Sequence, residues 1–130
     1  MAVARVLVAD DSRIFRAWIA ELLREHGFEV TEASNGQEAL DTALSIRPQL
    51  LILDALMPLL SGFDVLTKLR EKLPALDPIV FIVTAVYKSN RWENEAKQQY
   101  RVQEYLEKPL EEDDFLRALA RYFPTITHSS

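Results

Sequence analysis

The chain of 130 residues has no cysteine. Disulfides, thiolate metal sites and thiol nucleophiles are therefore excluded. It has three glycines, Gly27, Gly36 and Gly62. They are too few and too scattered for the glycine-rich loop that cradles phosphates in P-loop, kinase or dinucleotide sites. No apolar run reaches the roughly 18 residues needed to cross a bilayer, so no membrane partner is expected. Basic residues are the minority, 15 against 20 acidic, for a net charge of −5. Phosphate contacts need clustered Lys and Arg, so direct nucleic-acid binding by this domain is not expected either. The opening MAVARVLVAD runs into two aspartates without a small-residue cleavage site. It reads as a first strand and not a signal peptide. Together these absences point to a cytoplasmic protein.

Hydrophobic residues make up 48% and charged residues 27%, a balance that supports one packed core and not a disordered chain. Five short apolar runs alternate with five helical patterns: Val3–Ala9, Phe28–Ala33, Leu50–Leu53, Ile79–Val83 and Val102–Leu106. Strands separated by helix-length segments predict βαβ units and a parallel sheet. Val6–Ala9, Leu50–Leu53 and Ile79–Val83 are apolar nearly throughout, as strands buried on both faces are. Glu29, Thr31 and Glu32 in the second run, and Gln103 and Glu104 in the fifth, mark those two as edges. The expected fold is a single (βα)5 flavodoxin-like α/β domain. Its parallel five-stranded sheet has the order 2-1-3-4-5, with helices on both faces.

The helices are expected over Ile14–Glu25, from Asn35 through Ile46, and over Phe63–Leu73, Asn90–Tyr100 and Glu111–Phe123. Asn35 with Glu38 three residues on has the spacing of a capping box. The fourth helix has a thin apolar stripe, Trp92, Ala96 and Tyr100. The domain is read as 1–123, and Pro124–Ser130 as a polar tail or the start of a linker.

In an open parallel sheet the site lies at the carboxyl ends of the strands, where strand order reverses. Run one ends in Asp10-Asp11, run three in Asp54 and run four in Thr84, while run five leads to Lys108-Pro109. Three carboxylates, a hydroxyl and an ammonium therefore converge on one edge. Clustered carboxylates repel one another, and a divalent cation with oxygen ligands relieves this. Mg²⁺ (or Mn²⁺) fits that donor set. A carboxylate can also act as a nucleophile toward phosphorus. With Lys108 and Thr84 beside it, phosphoryl transfer needs mainly positioning and electrostatics.

The ordered set Asp10-Asp11, Asp54-Ala55-Leu56-Met57-Pro58 with Gly62, Thr84-Ala85 and Lys108-Pro109 resembles the response-regulator receiver family over residues 3–123. The resemblance implies that Asp54 is the phosphoacceptor, and that Asp11 and Asp54 are direct metal ligands. Asp10 would act through water, and the backbone carbonyl of Leu56 would complete the metal site. Thr84 and Lys108 would hold the phosphoryl group, Thr84 and Tyr105 would form the switch, and the Lys108-Pro109 bond would be cis. The phosphoryl group would come from a histidine kinase or a histidine phosphotransfer protein, and the output partner is not readable. Two departures stand out. The stretch from Thr84 to Lys108 is slightly longer than in small chemotaxis-type receivers, and Arg101-Val102 replaces the usual Gly-Ala pair.

Other readings stay open beside this one. A degenerate receiver that only binds proteins would keep the fold without the chemistry. An aspartyl-phosphate phosphohydrolase of the haloacid-dehalogenase type would need a second Asp where Leu56 stands. Leu56 and Val86 flank the path of an attacking water, and as aliphatic residues they are expected to exclude it. Ile14 and Trp18 flank the core stripe of the first helix. Core packing is the default for them, and a partner-docking patch is the alternative. A homodimer through the fourth and fifth helices is compatible with the sequence but not readable from it.

Overall fold

The structure is a computed structural model that describes residues 3–85 and 90–124. Five strands and five helices alternate: β1 (Arg5–Ala9), α1 (Arg13–Glu25), β2 (Glu29–Ala33), α2 (Gly36–Ile46), β3 (Leu50–Leu53), α3 (Gly62–Lys72), β4 (Ile79–Thr84), α4 (Asn90–Gln99), β5 (Glu104–Glu107) and α5 (Glu112–Tyr122). All pairings are parallel, and the sheet order is β2-β1-β3-β4-β5, as the polarity of the runs predicts.

The central strands are buried on both faces because each face carries a helical layer. Leu7, Leu51, Leu53 and Ile82 point to one side, where Ala39, Leu40, Val65, Leu66 and Leu69 of α2 and α3 cover them. Val6, Val8, Ile52, Phe81 and Val83 point to the other, under Ile19 and Leu23 of α1 and Phe115 and Leu119 of α5. Successive side chains alternate between layers, as the two-residue period of a strand requires. Truncating any of the fully buried leucines of β3 to Ala is worth roughly 2–5 kcal/mol.

Local signals set the helix ends. The Ser12 hydroxyl accepts the Phe15 N–H at 3.3 Å and opens α1. Asn35 accepts the Glu38 N–H at 2.8 Å and opens α2. The reciprocal half of that expected box differs. The Glu38 carboxylate reaches the Ser34 N–H at 3.3 Å, one residue further back. A complete capping box occurs instead at α3, where Ser61 and Asp64 bond each other's backbone.

The fifth strand begins later than its apolar run. Arg101 takes a left-handed φ of 52°, which turns the chain just before the sheet. The Gln103 side-chain carbonyl accepts the Val80 N–H at 2.7 Å, and the Gln103 N–H donates to Val80 O at 2.9 Å. Val102 is buried ahead of the strand proper. The C-terminal end of α4 is tied to α3. The Arg70 guanidinium donates to the carbonyls of Tyr100 and Arg101, and the Phe63 and Tyr100 rings lie 4.8 Å apart. The Trp92 and Ala96 side chains of the expected α4 stripe lie outside the described residues, as does most of the polar tail.

Candidate functional site

The carboxyl ends of β1, β3, β4 and β5 place Asp10, Asp54, Thr84 and Lys108 along one edge of the sheet. Asp10 is held from several directions. Its N–H donates to Ala33 O at 3.1 Å. Its Oδ1 accepts the Ser12 N–H at 2.8 Å. Its carbonyl accepts Arg16 Nη1 at 2.7 Å. Asp54 continues the ladder, its N–H donating to Ala9 O at 3.0 Å, and its Oδ1 accepts the Leu56 N–H at 3.1 Å. Gly62 lets the following helix close over this strand end. A Cβ there would lie 2.4 Å from Asp54 O.

Asp10, Asp11 and Asp54 each offer an oxygen within 4.8 Å of the others. Asp10 and Asp54 are buried, whereas Asp11 is exposed. Lys108 Nζ stands 2.7 Å from Asp10 Oδ2 and 3.2 Å from Asp54 Oδ2. Burial pushes the Asp10 carboxyl above its ordinary value, and the Asp54 charge adds to this. The Lys108 and Ser12 hydrogen bonds pull the other way without winning. Burial by itself would depress the Lys108 ammonium, but the Asp10 hydrogen bond and the two carboxylate charges outweigh it and raise the group.

The donor set is all oxygen, closely spaced and electrically crowded, which suits Mg²⁺ or Mn²⁺ and not a soft metal. Two carboxylates already share one ammonium, so the pocket is built around excess negative charge that a cation offsets.

The chain belongs to the response regulator receiver domain family. The family's model matches residues 6–120. The transcriptional regulatory protein PdtaR of Mycobacterium tuberculosis is 38% identical over 116 residues, 88% of this chain and 54% of that protein. Response regulator MprA of Mycolicibacterium vanbaalenii is 36% identical over 90% of this chain and 50% of that protein. Among solved structures, the chemotaxis protein CheY4 of Vibrio cholerae superposes with a TM-score of 0.82 at 30% identity, covering 92% of this chain and 98% of that one. The chain spans about half the length of the two curated relatives.

The receiver's other expected residues fall as follows. Thr84 is buried at the end of β4, and its carbonyl accepts the Lys108 N–H at 2.9 Å. The Lys108-Pro109 bond is cis. Leu56 is 63% exposed, and Val86 lies outside the described residues. Tyr105 is buried, on the α2/α3 side of the sheet.

The expected default for Ile14 and Trp18 fails for one of the two. Ile14 is 86% exposed and packs on no core. It stands in the first turn of α1, on the side of the helix turned away from the Ile19–Leu23 stripe. Trp18 is half-buried, packed on the α1/α5 core and edge-on to Phe15 at 5.9 Å. Sequence reasoning missed Ser12, Arg16 and Phe15 as site residues. Their signal was proximity, since all lie within six residues of Asp10 on the turn that opens α1. No chemical motif singled them out.

Proposed function

We propose that this receiver is the phosphoacceptor switch of a two-component phosphorelay. Asp54 would take a phosphoryl group from a phosphohistidine of a histidine kinase or phosphotransfer protein, and partner binding would change in response. The observation that carries this reading is the meeting of three carboxylates within 4.8 Å with the Lys108 ammonium at the sheet's switch point. A carboxylate oxygen of Asp54 attacks phosphorus, the P–N bond to the donor imidazole breaks, and the imidazole leaves with a proton. Lys108 and the Thr84 hydroxyl then hold the phosphoryl oxygens. Asp10, Asp11, Asp54 and the Leu56 carbonyl would hold Mg²⁺, which offsets the charge that builds on those oxygens.

Partner contact is assigned to Ile14 with Trp18, whose exposed and half-buried apolar surfaces stand beside the acidic edge. Thr84 and Tyr105 are assigned to the switch. On phosphorylation Thr84 would shift toward the phosphoryl oxygens and Tyr105 would take the inward position, the one its ring occupies here. Leu56 and Val86 are assigned to limiting water access to the acyl phosphate. A cytoplasmic location and a homodimer through α4 and α5 remain parts of the same proposal.

The test is intact mass after incubation with Mg²⁺ and acetyl phosphate. One phosphoryl group should be gained, only with a divalent cation, and none in Asp54→Ala. A gain that persists in Asp54→Ala ends the assignment.

A further inference from the structure

Lys108 has a third neighbour that the phosphoacceptor reading does not use. Its Nζ lies 4.3 Å from the centroid of the Phe15 ring. That is well inside the ~6 Å at which an aromatic face attracts an ammonium. The ring is itself held. It is half-buried against the α1/α5 core, and Trp18 meets it edge-on at 5.9 Å with a 60° interplanar angle. The backbone beneath it is fixed by the Ser12 cap, whose hydroxyl takes the Phe15 N–H.

We propose that Phe15 is a positioning residue for phosphoryl transfer, its ring face fixing the Lys108 ammonium where the incoming phosphoryl oxygens need positive charge. The inference rests on the phosphoacceptor reading and adds a residue to it. Lysine carries a compact charge on a flexible four-carbon stem, and holding it in one place costs rotamer entropy. The Asp10 and Asp54 contacts hold it here, but neither can persist unchanged through the reaction. Asp54 becomes the acyl phosphate, and Asp10 is drawn toward the cation. The Phe15 ring is a further partner of the ammonium, and it is neutral. It does not ligate metal, and it does not compete with phosphoryl oxygens for the ammonium as a third carboxylate would. An aliphatic residue there could fill the space but would offer the charge nothing. The ring also keeps water off one side of the ammonium, which strengthens its field at the transferring group.

The test separates the ring's electrostatics from its shape. Phenylalanine at position 15 is replaced by mono-, di- and trifluorinated analogues, which progressively drain the ring face at nearly constant size. Phe15→Leu and Phe15→Tyr accompany them. The measured quantity is the rate of phosphoryl gain from acetyl phosphate at saturating Mg²⁺. The rate should fall stepwise along the fluorinated series and about five- to tenfold in Phe15→Leu, while Phe15→Tyr keeps most of it. In a Lys108→Met background, Phe15→Leu should slow uptake no further. If the fluorinated proteins match wild type, the ring is packing alone and the inference is wrong, whatever Phe15→Leu does. If wild type itself gains no phosphoryl group, the phosphoacceptor reading falls and this inference with it.

Discussion

Replacing Lys108 by Met removes the ammonium that stands between Asp10 and Asp54 and leaves most of the stem's packing in place. At an effective dielectric of about 20, unit charges at the two observed separations, 2.7 and 3.2 Å, attract by roughly 6 and 5 kcal/mol before desolvation is subtracted. Breaking one side of a buried pair typically costs about 3–5 kcal/mol. Here the orphaned Asp10 can escape part of that cost by taking up a proton. The expected loss at pH 7.5 in metal-free buffer is therefore about 2–3 kcal/mol, or roughly 6–12 °C in melting midpoint for a domain of this size.

The pH dependence follows from Asp10. Its folded-state value is already raised, chiefly by burial. A raised carboxyl supports the fold below its unfolded value and loses that support as pH rises through the folded one. Without Lys108, burial and the Asp54 charge act with less opposition, so the folded value rises further. The deficit of Lys108→Met should be largest at neutral and alkaline pH and should shrink on acidification. Mg²⁺ at one fixed concentration should also narrow it, because losing the ammonium beside Asp10 and Asp54 leaves a pocket that binds the cation more tightly, and the protein with the lower dissociation constant gains more stability from the same ligand. Thermal and urea melts from pH 4.5 to 8, with EDTA and with Mg²⁺, give every quantity needed. Equal midpoints for the two proteins at pH 7.5 in EDTA, or a gap that widens in acid, would refute the reasoning.

Three further outcomes are expected. Gly36→Ala should lose about 2–3 kcal/mol in urea denaturation, because the new Cβ would lie 2.0 Å from the Leu60 carbonyl oxygen; a change under about 0.5 kcal/mol would show that the α2 start yields freely. Arg101→Gly should gain about 0.5–1 kcal/mol, since φ is 52° and its exposed ion pair with Asp77, at 3.9 Å, adds little; a lower melting midpoint contradicts this. Leu56→Asn with Val86→Glu should lose the phosphoryl group several-fold faster than wild type once donor is removed, with Asp54 still the acceptor. Equal decay would mean that the two aliphatic side chains do not limit water.

The strand order was legible because burial on one or two faces leaves its mark in composition. Leu50–Leu53 contains no polar residue, while β2 carries Glu29, Thr31 and Glu32. The acidic edge was legible for a related reason. In a parallel sheet the residue after each strand faces the same rim, so chain position alone brings Asp10, Asp54, Thr84 and Lys108 together. What lay beyond reach depends on rotation and on single side chains. A 3.6-residue stripe shows that α1 is amphipathic. It does not show how far the helix is turned against the sheet, and that rotation exposes Ile14 and lays Phe15 under Lys108, 93 positions away in the chain. The late start of β5 was hidden because the Gln103 side chain takes a backbone partner's place, which leaves no apolar signal. The Ser61–Asp64 box was present in the sequence, but it follows a loop whose Leu59 and Leu60 look like core residues, and Leu59 is 76% exposed.

The clamp between Arg70 and the carbonyls of Tyr100 and Arg101 has a mechanical consequence. It anchors one end of α4 to α3. Any reorientation of α4 that keeps those bonds is a swing about Tyr100, with the helix as a lever. Ten residues at 1.5 Å per residue make an arm of about 15 Å, so a tilt of about 10° carries Asn90 through roughly 2.5 Å and leaves Tyr100 nearly still. The travelling end is the one that follows Thr84 in the chain. A displacement at the strand end therefore enters the helix at the end far from the pivot and fades toward Tyr100, so a partner resting on the Asn90 half of α4 would feel far more of it than one resting near Tyr100.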